Sequence, residues 1–516
     1  MNTERKSHAE WQALLEKKED EIIALHRQVE WLTQQLRLMQ GQRFGAFSER
    51  TQAITEQISL FNEAEALAAS GAPESDLEQI TYKRKKRVGK REMDFSNLPV
   101  EQIVHELPEA ERICLECRGP LHKCGQSVVR RELAYVPAQY KVVAHIQAVY
   151  SCRCCEQKND HVPMKKSMIP PALLPGSGLV SPSLLAHILN NKYVLSLPLY
   201  RQEQEFQRLG VPISRQTMAN WVIMAHQKWF AGFFQLLRRE LLANSILHAD
   251  ETTLMVLKEL GRKARQKSYV WVYQTSGDSP RPVVLYDFQP TRAGECASNF
   301  LSGFSGMLHT DGYEAYHCKL PPEITVAGCW AHMRRKFTDT LKPKEVRDRS
   351  PGQAGLGFCN QLFALEEDYK KRGLSFDQRF QTRLERAKPV AEAFFVWARR
   401  EYEKNPVPKS MLGAALTYAV RQESWLMNVF LDGRLKLSNN RVERSVRPFA
   451  LGWKNWLFSN TPKGADASAA IYSIAETAKA NGLKSFEYLS FLLETLPTGC
   501  SPQDCLPWMP LVQNLR

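Results

Sequence analysis

Near the N-terminus apolar residues return every seven positions. Leu15, Ile22, Val29 and Leu36 form one seam, and Trp11, Leu25, Leu32 and Met39 a second, with Lys18 as its single polar break. Branched residues on the first seam with leucines on the second suit a two-stranded parallel coiled coil; the alternative is an amphipathic helix packed on its own chain. Residues 181–228 then read as several helices. Between 245 and 339 strands and helices alternate, with SILHAD (245–250), SYVWVYQ (268–274), PVVLYDF (282–288), GMLHTD (306–311) and ITVAGC (324–329) as the strand candidates. Residues 340–430 return to helical periodicity, and helices follow again after Asn439. The stretch from Leu496 to Arg516 is proline-rich and weakly patterned, and no internal repeat is evident.

Breaks in this pattern divide the chain. We expect a coiled-coil region over 1–69, a basic linker over 70–105, a zinc-binding domain over 106–165 and a helix-turn-helix region over 175–240. A catalytic α/β domain over 245–480, with a helical insertion at about 340–430, and a tail over 481–516 complete the order. The linker carries Lys83-Arg84-Lys85-Lys86-Arg87, Lys90 and Arg91, which would lie along phosphates or remain a solvated loop.

Charge sharpens the picture. The 516 residues carry a formal net charge of +14, which favours a polyanionic partner, nucleic acid above all. The composition, 43% hydrophobic and 24% charged, is that of a chain with real cores. No run of about 18 apolar residues occurs, so no membrane span is expected. The first residues lack the apolar core of a signal peptide, and the expected location is the cytoplasm, at the bacterial nucleoid.

The 12 cysteines include two close pairs, Cys114 with Cys117 and Cys152 with Cys155. Two thiolates two residues apart can wrap one tetrahedral ion, which predicts a closed structural Zn²⁺ site. The 34 intervening residues exceed the usual spacing, but SVVRRELAYV and YKVVAHIQAVY would bring the pairs together as two strands of a zinc ribbon. Cys124 and Cys154 are spare thiols, and free buried cysteines are the competing reading.

LPLYRQEQEFQRLG (197–210) predicts a helix ending at Gly210, and Ser214 can N-cap a second helix over 215–225. That is the layout of a helix-turn-helix, shared by helical hairpins in general. Ser214, Arg215, Gln216, Thr217 and Asn220 would face DNA, while Trp221 and Val222 pack inward.

Asp250 and Asp311 each close an apolar strand candidate, in LHAD and LHTD. A carboxylate there is costly to desolvate unless paired or bound to a cation. Two on neighbouring strands would make a cradle for Mg²⁺ or Mn²⁺. Glu443, set among Arg441, Arg444 and Arg447, is the third acid chosen. Each acid has a plainer reading as a cap or a salt-bridge partner. Glu251 would face solvent or serve as an alternate ligand. His309 reads as a core residue on the same face as Asp311, and His332, Arg334 and Arg335 as a basic helix face.

Several stretches together resemble the insertion sequence 66 family of transposases over nearly the whole chain: RFGAFSER (43–50), CLEC with CRCC, SPSLLAHILNNKYVLSLPLYRQEQEF (181–206), HADET (248–252), HTDGYEAY (309–316), GCWAHMRRKF (328–337), NNRVERSVRP (439–448), KNWLF (454–458) and ETAKANGL (476–483). The resemblance implies a multidomain α+β chain. In it, a ribonuclease H-like core carries the triad Asp250, Asp311 and Glu443, preceded by a zinc-binding domain and a helix-turn-helix. It also implies a helical insertion before the last acid, in keeping with the 131 residues between Asp311 and Glu443. Two departures stand out. Ser438 replaces a usual aspartate, and Trp453 replaces the arginine of a Gly-Arg-Lys-Asn run, while Lys454 remains. The expected activity is in-line phosphoryl transfer at transposon ends with two divalent ions per site. Arg444, Arg447 and Lys454 are expected on DNA, both terminal repeats and target. A homodimer or larger assembly and accessory transposition proteins are the expected partners. The competing functions are a repressor that has lost catalysis and another nuclease of the same fold, such as a junction resolvase.

Overall fold

The computed structural model describes residues 171–515 except 264–265, 342–349, 405 and 407–409, together with Lys18, 140–151, 164–166 and Met168. The predicted coil apart from Lys18, the basic linker and all four zinc-site cysteines, Cys114, Cys117, Cys152 and Cys155, lie outside the described residues. One compact unit spans 48–169. Its described part pairs β1 (Val149–Ser151) antiparallel with β2 (Met164–Lys166), two strands that flank the second cysteine pair in sequence.

The second unit is built on a five-stranded mixed sheet of order β5-β4-β3-β6-β7. Its strands are β3 (Ile246–Met255), β4 (Lys267–Thr275), β5 (Val284–Gln289), β6 (Gly306–His309) and β7 (Ile324–Ala327). The first three run antiparallel as a meander, and β6 and β7 lie parallel to β3. The central strands are rich in Val, Trp and Tyr and buried, as a sheet covered on both faces requires. The strand candidates fall where expected, but β3 is longer. Asp250 does not close it, because Thr252 to Met255 continue pairing with Val270 to Lys267 of β4. Asp250 is therefore a mid-strand residue.

Before the sheet come α1 (Pro182–Tyr193), α2 (Leu199–Arg208), α3 (Arg215–Ala225) and, after one π-helical turn, α4 (Ala231–Leu242). Short helices α5 (Gly294–Phe300) and α6 (Ala315–Cys318) flank β6, and α7 (Trp330–Thr340) follows β7. The predicted insertion is helical: α8 (Pro351–Lys371), α9 (Phe376–Thr382), α10 (Lys388–Glu403) and α11 (Met411–Met427). It packs against α7, with Phe394 and Phe395 of α10 around Trp330 and Phe337 of α7 in one aromatic core. Then come α12 (Asn440–Trp456), α13 (Pro462–Ala480) and α14 (Ser485–Thr495).

Helix α13 closes the open edge of the sheet. Ser473 Oγ accepts from the Tyr286 N–H at 2.8 Å, and Thr477 Oγ1 accepts from Val284 N–H at 3.0 Å, so the outward amides of β5 are satisfied by helix hydroxyls. The C-terminal stretch is not a loose tail. Tyr488, Leu492, Cys505, Leu506 and Val512 are buried in the same core as the sheet and α1–α4. Among the described residues no helix is long and apolar enough to cross a membrane.

Candidate active site

Strand register brings the first two acids together. His248 on β3 lies opposite His309 on the parallel strand β6, so Asp250, two residues further along β3, and Asp311, two residues past the end of β6, come side by side. Alternation along β3 then sorts its polar residues. His248 and Asp250 share one side, where α12 packs; Glu251 takes the other. Asp250 Oδ1 accepts the Glu251 N–H at 2.8 Å, and Asp311 Oδ1 accepts the Tyr313 N–H at 3.0 Å.

The third acid is delivered by an anchored helix start. Asn439, almost fully buried, donates its side-chain amide to the Ala249 carbonyl at 2.9 Å, and its Oδ1 lies 2.8 Å from His248 Nδ1. With the amide nitrogen so committed, that oxygen accepts from the imidazole. The Asn439 backbone N–H donates to Cys329 Sγ at 3.2 Å, and Trp330 N–H donates to the Leu437 carbonyl at 2.9 Å. Together these contacts pin the start of α12 to β3 and to the β7–α7 junction. One turn later stands Glu443, whose N–H bonds back to the Asn439 carbonyl at 3.3 Å.

The electrostatics are those of crowded like charges. Burial pushes the Asp250 carboxyl up to about 8, reinforced by Glu251, Asp311 and Glu443. Glu443 Oε1 is buried with no hydrogen-bond partner, and His332 Nε2 stands 3.7 Å away. Burial lowers the His332 pKa, against the pull of Glu443. Among the described residues no three His, Cys, Asp or Glu side chains approach closely enough to cage a metal ion. The donor chemistry nevertheless fits a hard divalent cation: three carboxylates, one with an unsatisfied buried oxygen and one whose pKa burial and neighbouring acids raise, a cost that a bound cation would relieve.

Glu251 is not exposed. Its side chain is 3% accessible, ion-paired with Arg292 and accepting from Tyr316 Oη at 2.7 Å. Arg292 in turn stacks 3.6 Å over the Tyr313 ring, and Tyr313 Oη donates to the Arg292 carbonyl at 2.6 Å. This clamp braces the segment after Asp311, and the sequence alone did not indicate it. His309 is fully buried with its ring centre 5.0 Å from that of His248. The insertion also reaches the site. A Cβ at Gly312 would stand 2.4 Å from the Tyr418 ring of α11, so only glycine allows that approach.

The two predicted recognition elements are helical. Gly210 has φ +75 after α2, and Ser214 Oγ caps α3 by accepting from Thr217 N–H at 3.1 Å. Arg215, Gln216 and Asn220 are exposed and Thr217 is half-buried, while Met218, Trp221 and Val222 face the core. Glu203 holds the start of α3, accepting from the Arg215 backbone N–H at 2.9 Å. On α12, Arg444 is exposed and Arg447 half-buried; Lys454 is exposed near the far end. Trp453 packs against the core with its Nε1 buried and unpartnered.

A mixed five-stranded sheet packed between helices, with a helical insertion after β7, defines the class: a multidomain α/β protein. The chain belongs to the IS66 transposase family. Residues 177–467, more than half of it, match the family described as "Transposase IS66 family". Residues 111–156 match the zinc-finger binding domain of transposase IS66, and residues 31–103 a segment described as "Transposase C of IS166 homeodomain". Curated relatives in Sinorhizobium fredii include the uncharacterized protein y4qI, 31% identical over 93% of this chain and 88% of its own length. The uncharacterized protein y4hP is 29% identical over 94% of this chain and 88% of its own. No solved structure matches.

Proposed function

We propose that this chain is a DNA transposase that binds transposon ends and performs strand cleavage and strand transfer by in-line phosphoryl transfer. The observation that carries the proposal is the mutual electrostatic influence of Asp250 on β3, Asp311 in the turn after β6 and Glu443 in the first turn of α12, with Asp250 raised to about 8 by burial and by the other acids. The strand order β5-β4-β3-β6-β7, with three antiparallel and two parallel strands, supports a ribonuclease H-like reading of the core.

Asp250, Asp311 and Glu443 would hold Mg²⁺ or Mn²⁺, two ions per site. Bound there, the ions supply charge neutralisation at the scissile phosphate and a more acidic attacking water or 3′-hydroxyl. The chain's own contribution is positioning. Asn439 fixes the Glu443 turn against β3, and the Glu251–Arg292–Tyr316 clamp fixes the far side of the same strand. Ser214, Arg215, Gln216, Thr217 and Asn220 would read terminal DNA from α3. Arg444, Arg447 and Lys454 would meet phosphates. Cys114, Cys117, Cys152 and Cys155 would hold one structural Zn²⁺, and the N-terminal heptads would pair two copies or more. Accessory transposition proteins and a nucleoid location complete this reading.

The test is cleavage of a labelled transposon-end duplex with Mg²⁺ or Mn²⁺, comparing the natural protein with Asp311→Asn. Metal-dependent cutting that is lost in the variant is the expected result. Equal cutting by both refutes the triad. One observation favours a second reading. Trp453, in place of the family's arginine, turns its side chain into the core rather than toward phosphate. Specific binding to ends without cutting, even with accessory proteins added, would point to a DNA-binding repressor.

A further inference from the structure

Beyond the acidic site the sheet carries a group of cations that form no ion pair with a carboxylate among the described residues. Arg441, half-buried on α12, donates its Nε to the Thr275 carbonyl at the end of β4, at 3.3 Å. Its Nη1 lies 3.1 Å from the point where a Cβ would stand on Gly277, and Lys436 Nζ lies 3.7 Å from the same point. Both cationic heads therefore face one spot beside a residue with no side chain. Arg444, one turn along α12 from Asn440, leans on that residue's carbonyl at 3.3 Å and is otherwise exposed. Among the described residues, none of Lys436, Arg441 and Arg444 forms an ion pair with a carboxylate. The nearby acid Asp278 is shared with Arg434, at 4.0 Å, and Arg434 is also paired to Asp432.

Such a grouping costs free energy. Burial and then Arg441, Arg379, Arg444 and Lys370 hold the Lys436 ammonium below its ordinary range. Burial and then Arg444 lower Arg441, against a weaker pull from Asp278. An ordinary solvated basic face spreads its charges or pairs them. Here the cations converge on an open glycine turn, which suits a doubly accepting oxyanion.

We propose that Lys436 and Arg441, with Arg444 beside them on α12, form a phosphate cradle at the Gly277 turn, in which the Lys436 and Arg441 heads grip the backbone of the DNA strand held at the acidic site. The occupant is argued from charge and spacing. Thr275 pairs with Leu247, three residues along β3 from Asp250, and Gly277 lies two residues further on. That is about five residues, or about 17 Å of strand, roughly five nucleotide rises along one DNA strand. A strand with its reacting phosphate at the carboxylates thus reaches the cradle with a phosphate a few nucleotides along. The assignment of the occupant rests on the DNA reading above, but the cradle needs no metal and no chemistry.

The test is equilibrium binding of the full-length protein to a labelled random-sequence duplex in EDTA, across a salt series. Each lost phosphate contact should reduce the slope of log affinity against log salt by about 0.9. The Lys436→Gln/Arg441→Gln pair should flatten the slope by about 1.8 and weaken binding roughly 60-fold near 0.1 M salt relative to its effect at 1 M. The charge-keeping Lys436→Arg/Arg441→Lys pair should retain most of both. Lys436→Gln alone, at an exposed position, should flatten the slope by about 1 with unchanged melting. An unchanged slope in the Gln pair overturns the cradle, as does an equal loss in the charge-keeping pair, which would mark a structural effect. Because no cation is present, an inactive cleavage site leaves these slopes as they are, so failure of the cradle and failure of the nuclease reading are separable.

Discussion

Glu366 and Glu443 are both partly buried glutamates on helices, yet their surroundings are opposite. Glu366, on α8, accepts from Arg383 Nε at 2.6 Å and Nη2 at 2.9 Å, and from Arg379 Nε at 3.0 Å. Arg383 is fully buried, and its remaining donors reach the carbonyls of Asp432 at 3.1 Å and Leu435 at 2.7 Å. Every charge in that cluster has a partner, and it ties α8 to the loop that leads into α12. Glu443 has a buried oxygen with no hydrogen bond and acids for neighbours. A satisfied cluster of opposite charges holds a fold together. An unsatisfied cluster of like charges is a cost that the fold carries for something it binds.

Two substitutions press on that contrast. Glu443→Gln should lower metal-dependent strand cleavage by about a thousandfold, since one donor of the proposed cation site is lost, while thermal melting without divalent cation stays level or rises. A variant that unfolds instead would place Glu443 among the structural charges. Glu366→Ala should do the reverse. It strands Arg383 as an unpaired buried cation, at a cost of about 3–5 kcal/mol, read from urea unfolding. A cost below about 1 kcal/mol would mean that the carbonyl contacts alone satisfy Arg383.

The same contrast explains what could be read from sequence. The strands were legible because apolar β-branched and aromatic runs bounded by turns have few other outcomes. The α2–α3 turn was legible because Gly210 and Ser214 carry local, single-residue signals. Asp250 and Asp311 were chosen for their place beside apolar runs, although β3 runs five residues past Asp250. Glu443 has no such signature and was chosen from its arginine-rich setting. The fate of Glu251 was hidden because its partners, Arg292 and Tyr316, lie 41 and 65 residues away. The unpaired group of Lys436 and Arg441 at Gly277 was equally hidden, since it joins two segments about 160 residues apart. Local patterning encodes elements and caps; long-range charge balance appears only when the chain is folded.

The smallest expected effect sharpens the comparison most directly, because it measures the cost of the acidic cluster itself. Without divalent cation, Asp250 has a folded pKa of about 8, against about 3.9 in an unfolded chain. Between those values the folded state holds a proton that the unfolded state has released, so stability falls as pH rises from about 4 to about 8. Asp250→Asn removes the titration, and its amide oxygen can still accept the Glu251 N–H. At pH 5 the variant and the natural protein should melt nearly together. At pH 8.5 in EDTA the variant should melt higher by roughly 2–5 °C, allowing for partial solvent screening of a half-buried group. Adding Mg²⁺ at pH 8.5 should raise the natural protein and close the gap, because a bound cation relieves the repulsion that the amide lacks. A gap independent of pH would mean that Asp250 does not pay for the company of Glu251, Asp311 and Glu443, and the acidic cluster would then resemble the Glu366 cluster in energetics.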